Sequence, residues 1–283
     1  MPLTTVAAWT CPSCRSVVAT AYCPDCGERP LRPQELTLHG LAGQAVEALT
    51  DVDGRLLRSV RSLVAHPGVL TVAYAEGRRK PFIGPVSLFL ASNVLFFAVE
   101  TVTKSTVFSA PLQAHLHAQP WTETAGPLVA ARLQALHVPI ETFAPRFDAA
   151  VATHARSLIL LMAIAFSPAQ ALVFRRSGHP FAVHAAFSLH LFAFILLAFC
   201  VGTTVPAVGM LGGGVRSTSE NLDLALTAAL LGITAAYLYG AIGVVYGARG
   251  RARVAQAAAL TIATAAIVLG YRFALFLLTL YTS

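Results

Sequence analysis

At 283 residues the chain could fill about two ordinary soluble domains, yet 56% of it is apolar and only 12% is charged, against roughly 25% charged in a typical globular domain. That balance excludes a disordered protein, a secreted disulfide scaffold and a nucleic-acid-binding module, in spite of a formal charge of +7. The composition points to a membrane protein; cysteine spacing, helical periodicity and charge-free runs divide it into a small N-terminal zinc ribbon (1–30), juxtamembrane amphipathic helices (31–80) and a five-helix transmembrane bundle (81–283), an all-α fold.

The first chemical signal is Cys11-Pro12-Ser13-Cys14, followed eight residues later by Cys23-Pro24-Asp25-Cys26-Gly27. Two CxxC pairs can present four thiolates to one tetrahedral Zn²⁺, each pair on a tight knuckle that aims both sulfurs the same way. Gly27 suits the left-handed backbone that closes such a knuckle, and Arg15 stands at the equivalent place in the first. A dithiol redox pair is the alternative reading. Four cysteine ligands leave no open position for water, so Cys11, Cys14, Cys23 and Cys26 specify a structural Zn²⁺ and no catalytic metal. A segment this small has almost no core, and metal binding would be what folds it. It serves either as a stabilised knob or as a docking module for a partner protein.

From Arg55 to His66 the apolar positions Leu56, Leu57, Val60, Leu63 and Val64 recur at helical spacing, with Arg55, Arg58 and Arg61 along the stripe's edges. Such a short helix is marginal alone, so a bilayer or protein surface must complete it. Asp53 is the expected N-cap and Pro67-Gly68 the stop. A further turn, Val69 to Glu76, ends at Gly77, and Arg78, Arg79 and Lys80 then stand at headgroup level. This segment reads as a collar lying on the membrane, in preference to a regulated lipid sensor.

About 20 mainly apolar residues span a bilayer as a helix. Runs without Asp, Glu, Lys or Arg cover Pro81–Val99, Ser157–Phe174, Ser177–Val215, Leu224–Ala248 and Val254–Tyr271, the last continuing past Arg272. The third run is 39 residues, but its tail from Gly202 to Gly214 is rich in Gly, Pro and Thr, so it counts once. The five expected spans are 82–102, 157–175, 181–202, 221–246 and 254–281. No apolar leader precedes them, so the first acts as an uncleaved anchor. Lys and Arg divide 14 to 5 between the two sides, with Arg272 inside the last span. This places the N-terminus inside and Ser283 outside. The basic surplus reads as insertion topology and attraction to anionic headgroups, not nucleic acid. An outer segment, 103–156, holds two helix-like stretches, Leu128–Leu136 and Phe143 onward, that would cap the bundle's outer mouth.

Polar groups inside the spans are costly and mark something. Arg272 needs a partner, and Glu100, at comparable depth, is expected to meet it in a packing bridge. His184 and His190, six residues apart, point some 120° away from each other and cannot chelate one metal together. Each is expected to be a neutral imidazole bonded to a neighbouring carbonyl or hydroxyl. Gly240, Gly243 and Gly247 with Ala236 give the fourth span a small-residue face suited to close helix packing, while Asn93 and Pro168 locally disturb their helices. No Walker loop, GxSxG elbow, HExxH or paired carboxylate is present, and no catalytic residue is assigned.

Taken together, Cys11 to Cys26, Asp51-Val52-Asp53-Gly54 with Leu57, His66-Pro67-Gly68, Tyr74, Glu76-Gly77-Arg78-Arg79 and Pro85 resemble the bacterial zinc-ribbon membrane proteins classed as domain of unknown function 3667. His184 to His190 with Ala193-Phe194, and Val245-Tyr246-Gly247, are similar to that family's C-terminal half. The family usually carries Arg where His66 stands and Gly where Arg15 stands. The resemblance implies a membrane address and a zinc ribbon, with no activity attached. The reading that follows is a non-enzymatic protein that recruits a partner or senses the membrane, with a homo-oligomer left open. The alternatives are a small transporter or lipid-handling bundle using intramembrane His and Arg, and an intramembrane enzyme.

Overall fold

The computed structural model describes residues 8–31, 36–37, 54–211 and 220–283. Two strands, β1 (Trp9–Thr10) and β2 (Val17–Val18), pair antiparallel with Trp9 opposite Val18. The other described elements are helices: α1 (Arg55–Ala65), α2 (Val69–Ala75), α3 (Pro85–Thr103), α4 (Leu112–His117), α5 (Thr122–Leu136), α6 (Ile140–Leu158), α7 (Leu160–Val173), α8 (Phe181–Leu211), α9 (Glu220–Tyr246) and α10 (Gly250–Thr282). Four of these are long and apolar enough to cross a membrane, and five spans result if the bent pair α6–α7 is counted as one.

Helix α8 is the axis of the bundle. Its residues are apolar on every side, and it is the most buried of the candidate spans, as an all-round hydrophobic helix must be. It runs nine residues beyond the expected end at 202. The Gly, Pro and Thr content that suggested a stop is absorbed, because the Thr203 and Thr204 hydroxyls bond back to Phe199 O and Cys200 O. Helix α3 packs along α8 with Leu88, Phe89 and Phe96 buried, and turns Val94, Leu95 and Val102 outward. Pro85 opens α3 at its first position, and Lys104, left-handed at φ 53°, closes it.

The second span differs from expectation. Residues 157–175 do not form one straight helix, since α6 and α7 meet at Ile159 with a 45° bend. Helix α7 alone rises about 21 Å, short of the roughly 30 Å hydrocarbon core, so the pair can cross only with α6 contributing depth. Its Phe143, Phe147, Val151 and Ala155, one turn apart, form the buried face that holds it against the bundle. Pro168 sits within α7 without ending it. Close by, Ser188 of α8 donates to Ala163 O across the interface at 2.6 Å.

The collar also departs from the expected picture. Helix α1 buries Ser59, Ser62 and Leu63 and packs Leu56 and Val60 against the core, while Leu57 and Val64, at one edge of the expected stripe, are exposed, Leu57 to 75%. The contact face is therefore rotated partly off the apolar stripe. Ser59 explains the rotation, since its hydroxyl donates to Arg55 O and accepts from Ile83 N–H, tying α1 to the approach to α3. The proposed cap Asp53 lies outside the described residues. Helix α2 does not lie on a surface. It is a wedge against α8 and α9, with Leu70, Thr71, Ala73 and Tyr74 buried.

The segment after α3 folds over that helix's far end. There Arg132 of α5 donates to the carbonyls of Leu280, Tyr281 and Ser283, capping α10 at 3.1, 3.1 and 3.3 Å. His115 of α4, buried and stacked on Phe276, accepts from the Trp121 indole N–H at 3.2 Å.

Candidate metal centre and the elements that hold it

The four ribbon cysteines converge. Sγ–Sγ distances are 3.5 Å for Cys11–Cys26, 3.4 Å for Cys14–Cys23 and 3.7 Å for Cys14–Cys26, and all four sulfurs lie within 4.8 Å of one another. A tetrahedron of sulfurs at about 2.3 Å from Zn²⁺ has edges of about 3.8 Å, so the cluster fits a single metal ion. Among the described residues it is the one group of three or more His, Cys, Asp or Glu that could hold a metal.

The two halves of the ribbon repeat each other. Cys11 N–H bonds Ser16 O and Arg15 N–H bonds Cys11 O, while Cys23 N–H bonds Glu28 O and Gly27 N–H bonds Cys23 O. The closing residue is left-handed in both, Arg15 at φ 65° and Gly27 at φ 71°. Side chains lace the halves together: Ser13 donates to Glu28 at 2.7 Å and Ser16 to Asp25 at 2.6 Å. Hydrogen bonds from Ser16, side chain and backbone, hold the Cys14 thiol down to about 6, which favours the thiolate a metal requires. Burial pushes the Cys23 thiol up.

The residue that sequence reasoning missed is Glu28. It is 2% exposed, and its Oε2 accepts from Ser13 Oγ and from the backbone N–H groups of Arg79 and Lys80 at 3.0 and 3.1 Å. A carboxylate with three donors tolerates burial without a cation. The second knuckle is thereby fastened to the residues that lead into α3. No motif spacing signals this, since its partners lie some fifty residues away.

The basic residues of the collar divide by role. Arg58 donates to Pro81 O at 3.3 Å, and Arg78 pairs with Glu76 at 2.8 Å. Arg58, Arg61 and Lys80 are exposed, whereas Arg55, Arg78 and Arg79 are half-buried.

Inside the bundle, Arg272 and Glu100 do not meet. Glu100 takes its donors locally, from Phe108 N–H and the Ser109 hydroxyl at 3.4 and 3.2 Å, because the chain after α3 turns back over it. Arg272 Nε has no hydrogen-bond partner among the described residues. The neighbouring Tyr271, about 100° round the helix from Arg272, is the residue whose ring packs beside this loop, on Phe108 at 5.7 Å.

The two histidines lie apart on different partners. His184 Nδ1 is 2.8 Å from the Tyr246 hydroxyl, which also accepts from Gln170 Nε2 at 2.8 Å, and Tyr246 stacks on Phe174 at 4.0 Å. His190 Nδ1 is 2.9 Å from Thr71 Oγ1, so it holds the α2 wedge in place. Both are hydroxyl-bonded core imidazoles.

The small-residue face expected on α9 is met in part: Gly247 lies past the helix end, left-handed at φ 64° with nothing against it, while Gly240 and Gly243 are closely approached. Gly240 lies under the Pro67 ring, and the backbone of Gly68, at φ 90°, runs so close to Ala241 that a β-carbon would stand 2.8 Å from its carbonyl oxygen. Beside Gly243 sits the guanidinium of Arg253, which donates to Tyr239 O at 2.7 Å and covers the Tyr239 ring at 3.9 Å.

No curated protein and no solved structure matches this chain. Residues 53–97, which hold the α1 helix, the α2 wedge and the first two-thirds of α3, match the family described as protein of unknown function (DUF3667).

Proposed function

We propose that the chain is an integral protein of a bacterial cytoplasmic (inner) membrane with five spans, N-terminus inside and Ser283 outside. Its four cysteines hold a structural Zn²⁺ in a ribbon that docks a protein partner at the membrane surface. The single observation that carries this reading is Glu28, which ends the second knuckle and binds the backbone of Arg79 and Lys80. A ribbon folded by its metal and clamped to the head of the first span is a fixed platform, not a loose tail.

The platform also has something to offer. Val17 and Tyr22 are 79% and 61% exposed on so small a unit, as suits residues that a partner would cover. The exposed Arg58, Arg61 and Lys80 fit a surface facing anionic headgroups. Zn²⁺ supplies no reaction here; it fixes the two knuckles, and the side chains outside them do the recognising.

The test compares wild type with Cys11→Ser, each cross-linked in cells, extracted in detergent and captured by a C-terminal tag. Wild type is expected to carry about one zinc per chain and a discrete cross-linked partner. The variant should lose both while staying in the membrane fraction. Partners retained unchanged after loss of the metal would sink the docking reading.

A further inference from the structure

Along the C-terminal half of α3, a shallow groove of about 380 Å³ is lined by Asn93, Val94, Phe97, Ala98 and Thr101 of α3 and by Arg156 of α6. Its wall mixes two chemistries. Val94 and Ala98 are exposed apolar groups, while Arg156 is an exposed cation whose guanidinium lies over the Phe97 ring at 5.8 Å. No acidic side chain lines the groove. The Asn93 carboxamide makes no hydrogen bond among the described residues. Thr101 donates its own proton to Phe97 O at 2.7 Å, leaving its oxygen as an acceptor.

The spacing of these groups along α3 is what gives the groove a meaning. Thr101 stands half a turn from the end of the helix, Phe97 one turn deeper and Asn93 one turn deeper again, about 6 Å per step. On the reading that α3 crosses the bilayer, a cation and a bare amide face hydrocarbon one above the other. Such groups are costly there unless something polar meets them.

We propose that this groove is a phospholipid site. The phosphate of an anionic phospholipid sits on Arg156 beside Phe97, and an ester carbonyl one turn deeper accepts from the Asn93 amide. An acyl chain runs along Val94 and Ala98, and a headgroup donor reaches Thr101. A charge-assisted bond to phosphate holds the headgroup, and the apolar wall selects a lipid over a free anion.

The experiment uses the full chain reconstituted in vesicles of phosphatidylglycerol and phosphatidylcholine, re-extracted in mild detergent and weighed by native mass spectrometry. Wild type is expected to keep one phosphatidylglycerol per chain in preference to phosphatidylcholine. Arg156→Gln and Asn93→Leu should each lower that retention about tenfold. Lys104→Gln, a cation at the end of the same helix but outside the groove, should leave it unchanged. Melting curves in detergent establish that the variants are folded, and since both altered side chains face the groove, either one alone suffices for the comparison. Retention unchanged in the variants, displacement of the lipid by inorganic phosphate, or a second copy of the chain in its place would each overturn the site. A chain that stayed soluble without detergent would instead sink the membrane reading on which the site rests.

Discussion

Arg15 occupies a left-handed position that any side chain adopts at a cost, while its counterpart Gly27 adopts it freely. Replacing Arg15 by Gly is therefore expected to stabilise the first knuckle by about 1 kcal/mol. A chelator-competition titration of zinc should report this as roughly fivefold tighter retention; weaker retention would mean that the arginine side chain contributes more than its backbone costs. The same comparison shows how much of the metal centre is legible in the sequence. The cysteines announce themselves by spacing, because both ligands of a knuckle must come from one tight turn. Glu28 does not, because its burial depends on two N–H groups supplied by a distant stretch of chain. The expected meeting of Arg272 with Glu100 fails for a related reason. Depth along two helices can be counted from sequence, whereas the fold-back of residues 105–109 that satisfies Glu100 cannot.

Among the elements, charge-free runs locate the helices well, since hydrocarbon excludes charge wherever the chain goes. They say little about breaks and wedges. The bend at Ile159 falls at the edge of such a run, where α6 carries charged residues on one face and buried aromatics on the other. The seven residues of α2 are too few for any periodicity to be read, and their depth is set by Thr71 meeting His190, 119 positions later. Of the glycines expected on the small-residue face of α9, Gly240 and Gly243 are places of close approach, with Pro67 and Arg253 as their guests, whereas Gly247 lies past the helix end with open space around it. Gly243 makes room for the Arg253 guanidinium, which satisfies two backbone carbonyls and covers Tyr239. Gly243→Val is accordingly expected to displace that guanidinium and lower stability by about 1–3 kcal/mol, the range for overpacking a filled site. A thermal melt in detergent should show the fall. A melting temperature equal to that of wild type would mean that Arg253 finds an equivalent seat elsewhere.

For the whole molecule, the arrangement of ends is the property most easily checked. The ribbon is fastened at the start of α3, and the last residues of α10 are gripped by Arg132, which belongs to the segment that follows the end of α3. On the five-span reading an odd number of crossings puts those two places on opposite sides, in keeping with the 14 to 5 distribution of Lys and Arg. Alkaline phosphatase fused after Ser283 should therefore be active in the periplasm, and a fluorescent protein at the same point should stay dark. A bright fluorescent fusion would require an even number of crossings, with α7 failing to reach across.

The wedge also fixes an order of assembly. Pro67 and Gly68 rest on Gly240 and Ala241, so the seat of this early segment is made of residues that leave the ribosome long after it. Until the penultimate helix has been made, Pro67 and Gly68 have no floor to rest on, and its arrival closes a joint between an early and a late stretch of the chain.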